Sequence, residues 1–140
     1  MKKRCPKCGK VTEDFNKSGS RKDGLQPYCR GCQNERDRVL YQSSPSRREK
    51  VRSRSTAKRE ELHAIATKVK VERGCRCCPE RTPECLKFHH LDPEMKDLEV
   101  SKAVQREWSV SRLLEEIAKC VVVCGNCHDK LHAGLLYLGD

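Results

Sequence analysis

The chain has 140 residues, 30 Lys and Arg against 20 Asp and Glu, and 11 cysteines. Charged residues make up 36% and aromatic ones only 4%, which argues against one large hydrophobic core and asks for cross-links of another kind. Charge is uneven: residues 1–74 carry a net +12 and residues 75–140 a net −2, as expected of a polyanion-binding arm joined to a part with another job.

The start, Met1-Lys2-Lys3-Arg4-Cys5, has the positive residues of a signal peptide but no apolar stretch behind them, and no segment nears the ~18 apolar residues of a membrane span. The expectation is a cytoplasmic protein with no membrane partner. Thiols stay reduced there, so paired cysteines read as zinc ligands and not as disulfides. The odd cysteine count agrees.

In chain order, Cys5-Pro-Lys-Cys8 and Cys29-Arg-Gly-Cys32 are separated by twenty residues. Two such pairs predict one four-sulfur structural zinc, with each pair on a tight turn and a short hairpin around Lys22-Asp23-Gly24. We read residues 1–34 as a zinc ribbon. Gln33 to Gln42 forms a short helix, broken at Ser43-Ser44-Pro45. Ser46-Arg-Arg-Glu49 then has the form of a capping box, opening a helix that Gly74 stops. Residues 35–73 are thus a basic helical linker. Between Arg47 and Arg59 it carries seven basic residues and one acid; Arg47, Arg48, Lys50, Arg52, Arg54, Lys58 and Arg59 are candidate phosphate contacts, against the plainer reading of a solvated linker. Leu62, Ile65, Ala66 and Val69 give its far end an apolar stripe.

Residues 74–140 form the second domain. Cys75-x-x-Cys78 and Cys124-x-x-Cys127 lie 45 residues apart and predict a second structural zinc; Cys77 is a spare ligand, and Cys85 and Cys120 read as small buried hydrophobes. Strands are expected at 86–90 and 120–124. Val110, Leu113, Leu114 and Ile117 mark a helix between them, with Trp108 as its anchor. Asn126 is expected to cap a last helix that Gly134 ends. His63 reads as solvated.

Four of the five histidines fall in two clusters, His89-His90 and His128-x-x-x-His132. Residues four apart share one helix face, so the second pair can grip one ion. Taken together with the cysteines, Leu86-Lys-Phe-His89-His90-Leu-Asp-Pro93 with Lys96 and Val123-Cys124-Gly-Asn-Cys127-His128-x-x-x-His132-Ala-Gly134 resemble the phage-borne form of the HNH, or ββα-metal, endonucleases over about residues 72–136. The resemblance implies an α+β protein: a zinc ribbon, a helical linker and a treble-clef-like HNH domain. It implies metal-dependent hydrolysis of DNA phosphodiesters, with His90 as general base and His89, His128 and His132 holding one catalytic divalent ion (Zn, Ni, Mn or Mg) besides the two structural zincs. Lys96 is a further candidate phosphate contact. DNA is the implied partner, and a phage terminase in a host cytoplasm by the same resemblance. Where the family usually has a central Asn, nine residues before the first helical His, this chain has Lys119, a candidate phosphate contact in its place. Two readings compete: a non-catalytic zinc-finger DNA-binding protein whose histidines close a third zinc, and a junction-resolving nuclease. Because neighbouring strand residues point to opposite faces, the doublet also predicts a strand end or a bulge at His89-His90.

Overall fold

The computed structural model describes residues 2–139. The chain divides into two compact units, one up to Ser53 and the other from Arg54 onward. Among the described residues no helix is long and apolar enough to cross a membrane.

In the first unit β1 (Lys3–Arg4) pairs antiparallel with β2 (Val11–Thr12). The turn between them carries Cys5 and Cys8. It closes through Gly9, which adopts φ 73° and donates its N–H to the Cys5 carbonyl at 2.8 Å, a conformation that a side chain disfavours. The hairpin expected around residues 22–24 is reduced to a single bridge between Lys17 and Leu25. Cys29 then takes an extended N-cap conformation and opens α1 (Arg30–Ser43). The helix thus starts three residues before its expected Gln33, and Cys32 lies in its first turn. This departs from a ribbon with both cysteine pairs on turns: one pair is on a turn and the other begins a helix. Cys5, Phe15 and Cys29 are the buried apolar residues of this unit, with Leu25, Tyr28 and Cys32 against them. So small a core is of the kind that a bound metal commonly staples.

A second helix, α2 (Pro45–Arg73), begins in the first unit and ends in the second. The helix starts two residues earlier than the expected capping box. Ser44, and not Ser46, accepts the Arg47 N–H at 3.2 Å, and Pro45 fills the first helical position, where the lost N–H costs nothing. Leu62 and Ala66 are its buried residues. The helix stops at Gly74, at φ 63°, where a Cβ would lie 3.2 Å from Arg81 Cγ.

The second unit is built on β3 (Leu86–His90) and β4 (Cys120–Cys124), antiparallel, with Leu86 opposite Cys124 and His90 opposite Cys120. Between them lie α3 (Val100–Gln105), which the sequence reading missed, and α4 (Val110–Ala118). Leu62, Ala66, Val100, Ala103, Leu113, Ile117 and Cys120 form one buried cluster; Leu86, Val122, Val123, Cys124 and Cys127 form another. Trp108 packs against the first of these, with the Arg112 guanidinium 3.7 Å from its ring centre. Two expectations need correcting. Cys85 is exposed, because it ends a 3-10 turn (Pro83–Cys85) outside the sheet. Asn126 is not the cap of the last helix, α5 (Gly125–His132): Cys124 is, its sulfur accepting the Cys127 N–H at 3.4 Å.

Candidate functional site

The two cysteine quartets have one construction, used twice. Cys5, Cys8, Cys29 and Cys32 gather in the first unit; Cys75, Cys78, Cys124 and Cys127 gather in the second. In each, the third cysteine caps a helix and the fourth lies in its first turn. The third cysteine also donates its N–H to the first one's sulfur, Cys29 to Cys5 at 3.4 Å and Cys124 to Cys75 at 3.1 Å. Sulfur–sulfur separations are 3.7 Å for Cys8–Cys29 and 3.6 Å for Cys78–Cys124. Four thiolates at about 2.3 Å from one zinc stand about 3.8 Å apart, whereas a disulfide needs about 2.05 Å. Both quartets fit a structural zinc. Burial opposes ionisation of Cys5 and Cys75, yet backbone N–H groups aimed at the sulfurs hold these two thiols at about 6 and about 7. By contrast, burial and the neighbouring thiols raise Cys32, and the Cys124 thiol and burial raise Cys127. One thiolate of each quartet is thus ready for a metal, which would displace the remaining protons. Cys77 stays outside the quartet.

The histidines converge beside the second quartet. Regular alternation along β3 sends His89 to one face of the sheet and His90 to the other. The ladder runs through His90 in unbroken register, so the expected bulge is absent and the strand simply ends there. No bulge is needed, because the two rings serve different neighbours. His89 meets α5: its ring centre lies 5.3 Å from that of His128 and 5.2 Å from that of His132. The two α5 rings face each other with their Nε2 atoms 3.3 Å apart. One nitrogen from each of the three lies within 4.8 Å of the others, a spacing one divalent ion can close. Burial, and then the nearness of His128, His132 and His90, pushes His89 below its ordinary value, keeping it neutral. The buried Nδ1 of His128 makes no hydrogen bond; the Asp129 carboxylate stands 3.5 Å away.

His90 belongs to the other face. Its Nε2 lies 2.7 Å from Oε1 of Glu116, which is buried to 1% exposure on α4. The same oxygen accepts the backbone N–H groups of Asp97 at 3.1 Å and Leu98 at 3.3 Å, while Oε2 accepts Lys119 Nζ at 2.7 Å. Burial alone would raise the Glu116 pKa; the bonds from Lys119, His90 and Leu98 override it and hold the carboxyl at about 2. Glu116 escaped the sequence reading, although a signal existed. It lies three residues after Leu113 and beside Ile117, so the buried stripe contains a carboxylate where Leu114, exposed at 44%, was expected.

Both faces open at the end of β3 into one cleft of about 810 Å³, lined by all four of these histidines, by Phe88 and by Lys70, Lys87 and Lys96. His63 also lines it and is exposed. Lys96 lies 3.7 Å from Glu99. Lys119 is engaged by Glu116 and, at 3.6 Å, by Asp97. Of the basic residues on α2, Arg47 pairs with Asp37 at 3.3 Å, Lys58 with Glu61 at 2.7 Å and Arg59 with Glu107 at 3.1 Å, and Arg48 donates to the carbonyls of Tyr41 and Gln42. Lys50, Arg52 and Arg54 are exposed, with no carboxylate within ion-pair distance among the described residues. No family model, no curated protein and no solved structure matches the chain.

Proposed function

We propose that the protein is a metal-dependent DNA endonuclease of the HNH type, in which His89, His128 and His132 hold a divalent ion and His90 is the general base. The observation that carries this reading is the division of labour among four imidazoles: three converge, and the fourth opens into the same cleft but is tied to Glu116 instead. The donor set fits a metal. Nitrogens at about 2.0–2.1 Å from one tetrahedral ion stand about 3.3–3.4 Å apart, the separation of the His128 and His132 Nε2 atoms. Asp129, 3.5 Å from His128 Nδ1, would supply the carboxylate partner that metal-bound histidines commonly use. When bound, such an ion would polarise a phosphodiester oxygen and favour departure of the 3′-oxygen.

The protein's own part is to prepare a base. Glu116 stays ionised at neutral pH, so it accepts, and His90 Nε2 carries the proton and donates. That tautomer leaves Nδ1 unprotonated and able to take a proton from water. The carboxylate also ties down the backbone of Asp97 and Leu98, fixing the loop that follows the 3-10 turn Pro93–Met95. Lys119, bonded to the other oxygen of Glu116, keeps the carboxylate ionised and fixed against His90, alongside the phosphate contact expected of it from sequence. The rival reading, a closed third zinc in a binding protein, would need a fourth ligand, and among the described residues none joins the three histidines. Phage terminase as a partner rests on the resemblance alone.

The test is plasmid nicking across a panel of divalent metals, with wild type against His90→Ala. The variant should keep its fold, its two structural zincs and its DNA affinity while nicking falls at least ~100-fold. Equal nicking by both proteins would assign the base elsewhere. Absence of cleavage by wild type under every metal would leave only a binding protein.

A further inference from the structure

The cleft holds a cation with no assigned purpose. Lys70 projects from the last turn of α2 into the space that the histidines share. It is half-buried, its ammonium stands 5.7 Å from the centre of the Phe88 ring, and no carboxylate lies within ion-pair distance among the described residues. Such an arrangement costs free energy in the absence of an anion, because a partly desolvated charge is compensated only in part by a ring face. Burial correspondingly pushes the lysine below its ordinary value, with distant Glu84 opposing. Lys87 lines the same cleft, also without an ion pair, and its Nζ lies 3.8 Å from where a Cβ on Gly125 would be. On β3 it is two residues from His89 and therefore on the same face. Cations thus stand on both sides of the strand that carries the histidine doublet, and the Phe88 ring and the apolar side chains of Ala66, Val100 and Val104 line the same cleft.

We infer that the cleft is a nucleic-acid strand subsite, in which Lys70 grips a phosphate next to the one at the histidines and Lys87 grips another on the opposite side. This rests on the nuclease reading for the identity of the strand, but it can be tested without turnover. A phosphate supplies the anion that Lys70 lacks. A sugar and base supply apolar and π surface matched to the wall around Phe88. The contacts fall on the backbone, so they add affinity without sequence preference.

The test is fluorescence anisotropy of labelled DNA, single-stranded and duplex, binding to full-length His90→Ala protein across a salt series. Lys70→Met keeps the aliphatic stem over Phe88 and removes only the charge. It should weaken binding about tenfold and reduce the slope of log affinity against log salt by about 1. Lys102→Ala serves as the control. It removes an exposed lysine already paired with Glu99 at 3.1 Å and should change neither quantity. Lys70→Arg, which retains the charge, should restore most of the affinity, which distinguishes anion binding from disturbed packing. Unchanged affinity and slope in Lys70→Met, or equal losses in Lys70→Met and Lys70→Arg, would overturn the subsite. If the His90→Ala protein binds DNA with this Lys70 dependence but wild type never cleaves it, the subsite stands and the nuclease reading falls. No binding by wild type defeats both.

Discussion

Glu116 receives four hydrogen bonds, from His90, Lys119, Asp97 and Leu98, and its removal should be felt in both stability and rate. Glu116→Ala leaves a partly buried ammonium and two N–H groups without their acceptor, at a cost of about 2–3 kcal/mol in urea denaturation. It also frees the His90 ring, so nicking at saturating DNA should fall about 100-fold; Glu116→Gln, which still offers an acceptor oxygen to the ring, should recover part of it. Unchanged turnover in the Ala variant would mean that the carboxylate is purely structural. The pH dependence has a defined sign. The folded carboxyl titrates near 2 and the free one near 4.5, so the stability it adds is complete above about pH 4.5 and is lost as pH falls from there toward 2. The part of the stability gap between wild type and Glu116→Gln that comes from this carboxyl should therefore narrow as pH falls below about 4.5. At this scale the sequence was legible where spacing is chemistry. The i, i+4 histidines and the paired cysteines are local patterns that survive any fold. Glu116 and Lys70 were not legible, because their meaning depends on which residues of other elements they face.

Each cysteine quartet pins a turn to the first turn of a helix, α1 in one unit and α5 in the other. The helices α1 and α5 do not bury enough to stand alone, since α1 has no buried residue and α5 has Cys127. Cys32→Ser should lower the number of cysteine-held zinc ions from two to one and erase amide protection over residues 2–53, leaving β3, β4 and α5 protected in hydrogen exchange. Cys127→Ser should remove the other zinc and with it the histidine site, because His128 is the next residue of the same helix. Protection lost throughout the chain in either variant would contradict two separately stapled units. The elements themselves show where sequence reasoning stops. The strand ends, Gly74 and the stripe of α4 follow from period and stop signals. The start of α1 and the cap of α5 do not. A cysteine of a metal-fitting quartet is the N-cap there, and residue preferences for caps point to Ser, Asp or Asn, hence the misplaced role for Asn126.

Over the whole molecule, charge and chemistry are separated along the chain: residues 1–74 hold the positive excess, while the second part carries the histidine cleft. The structure refines which cations are available to a polyanion. Arg47, Arg48, Lys58 and Arg59 are engaged within the protein, whereas Lys50, Arg52 and Arg54 have no ion-pair partner among the described residues. Replacing these last three by Ala should weaken DNA binding and flatten its salt slope by between about 2 and 3, given about 0.9 per phosphate contact, with turnover on saturating DNA little changed. An unaltered slope would make this stretch a spacer. The most direct measurement of the central proposal is the number of zinc ions bound by wild type, His132→Ala and His90→Ala, counted by titration and elemental analysis alongside nicking. The expected result is three ions for wild type, two for His132→Ala, and three for an inactive His90→Ala. A third ion that survives His132→Ala, or one that departs with His90, would contradict the division between three ligands and one free base.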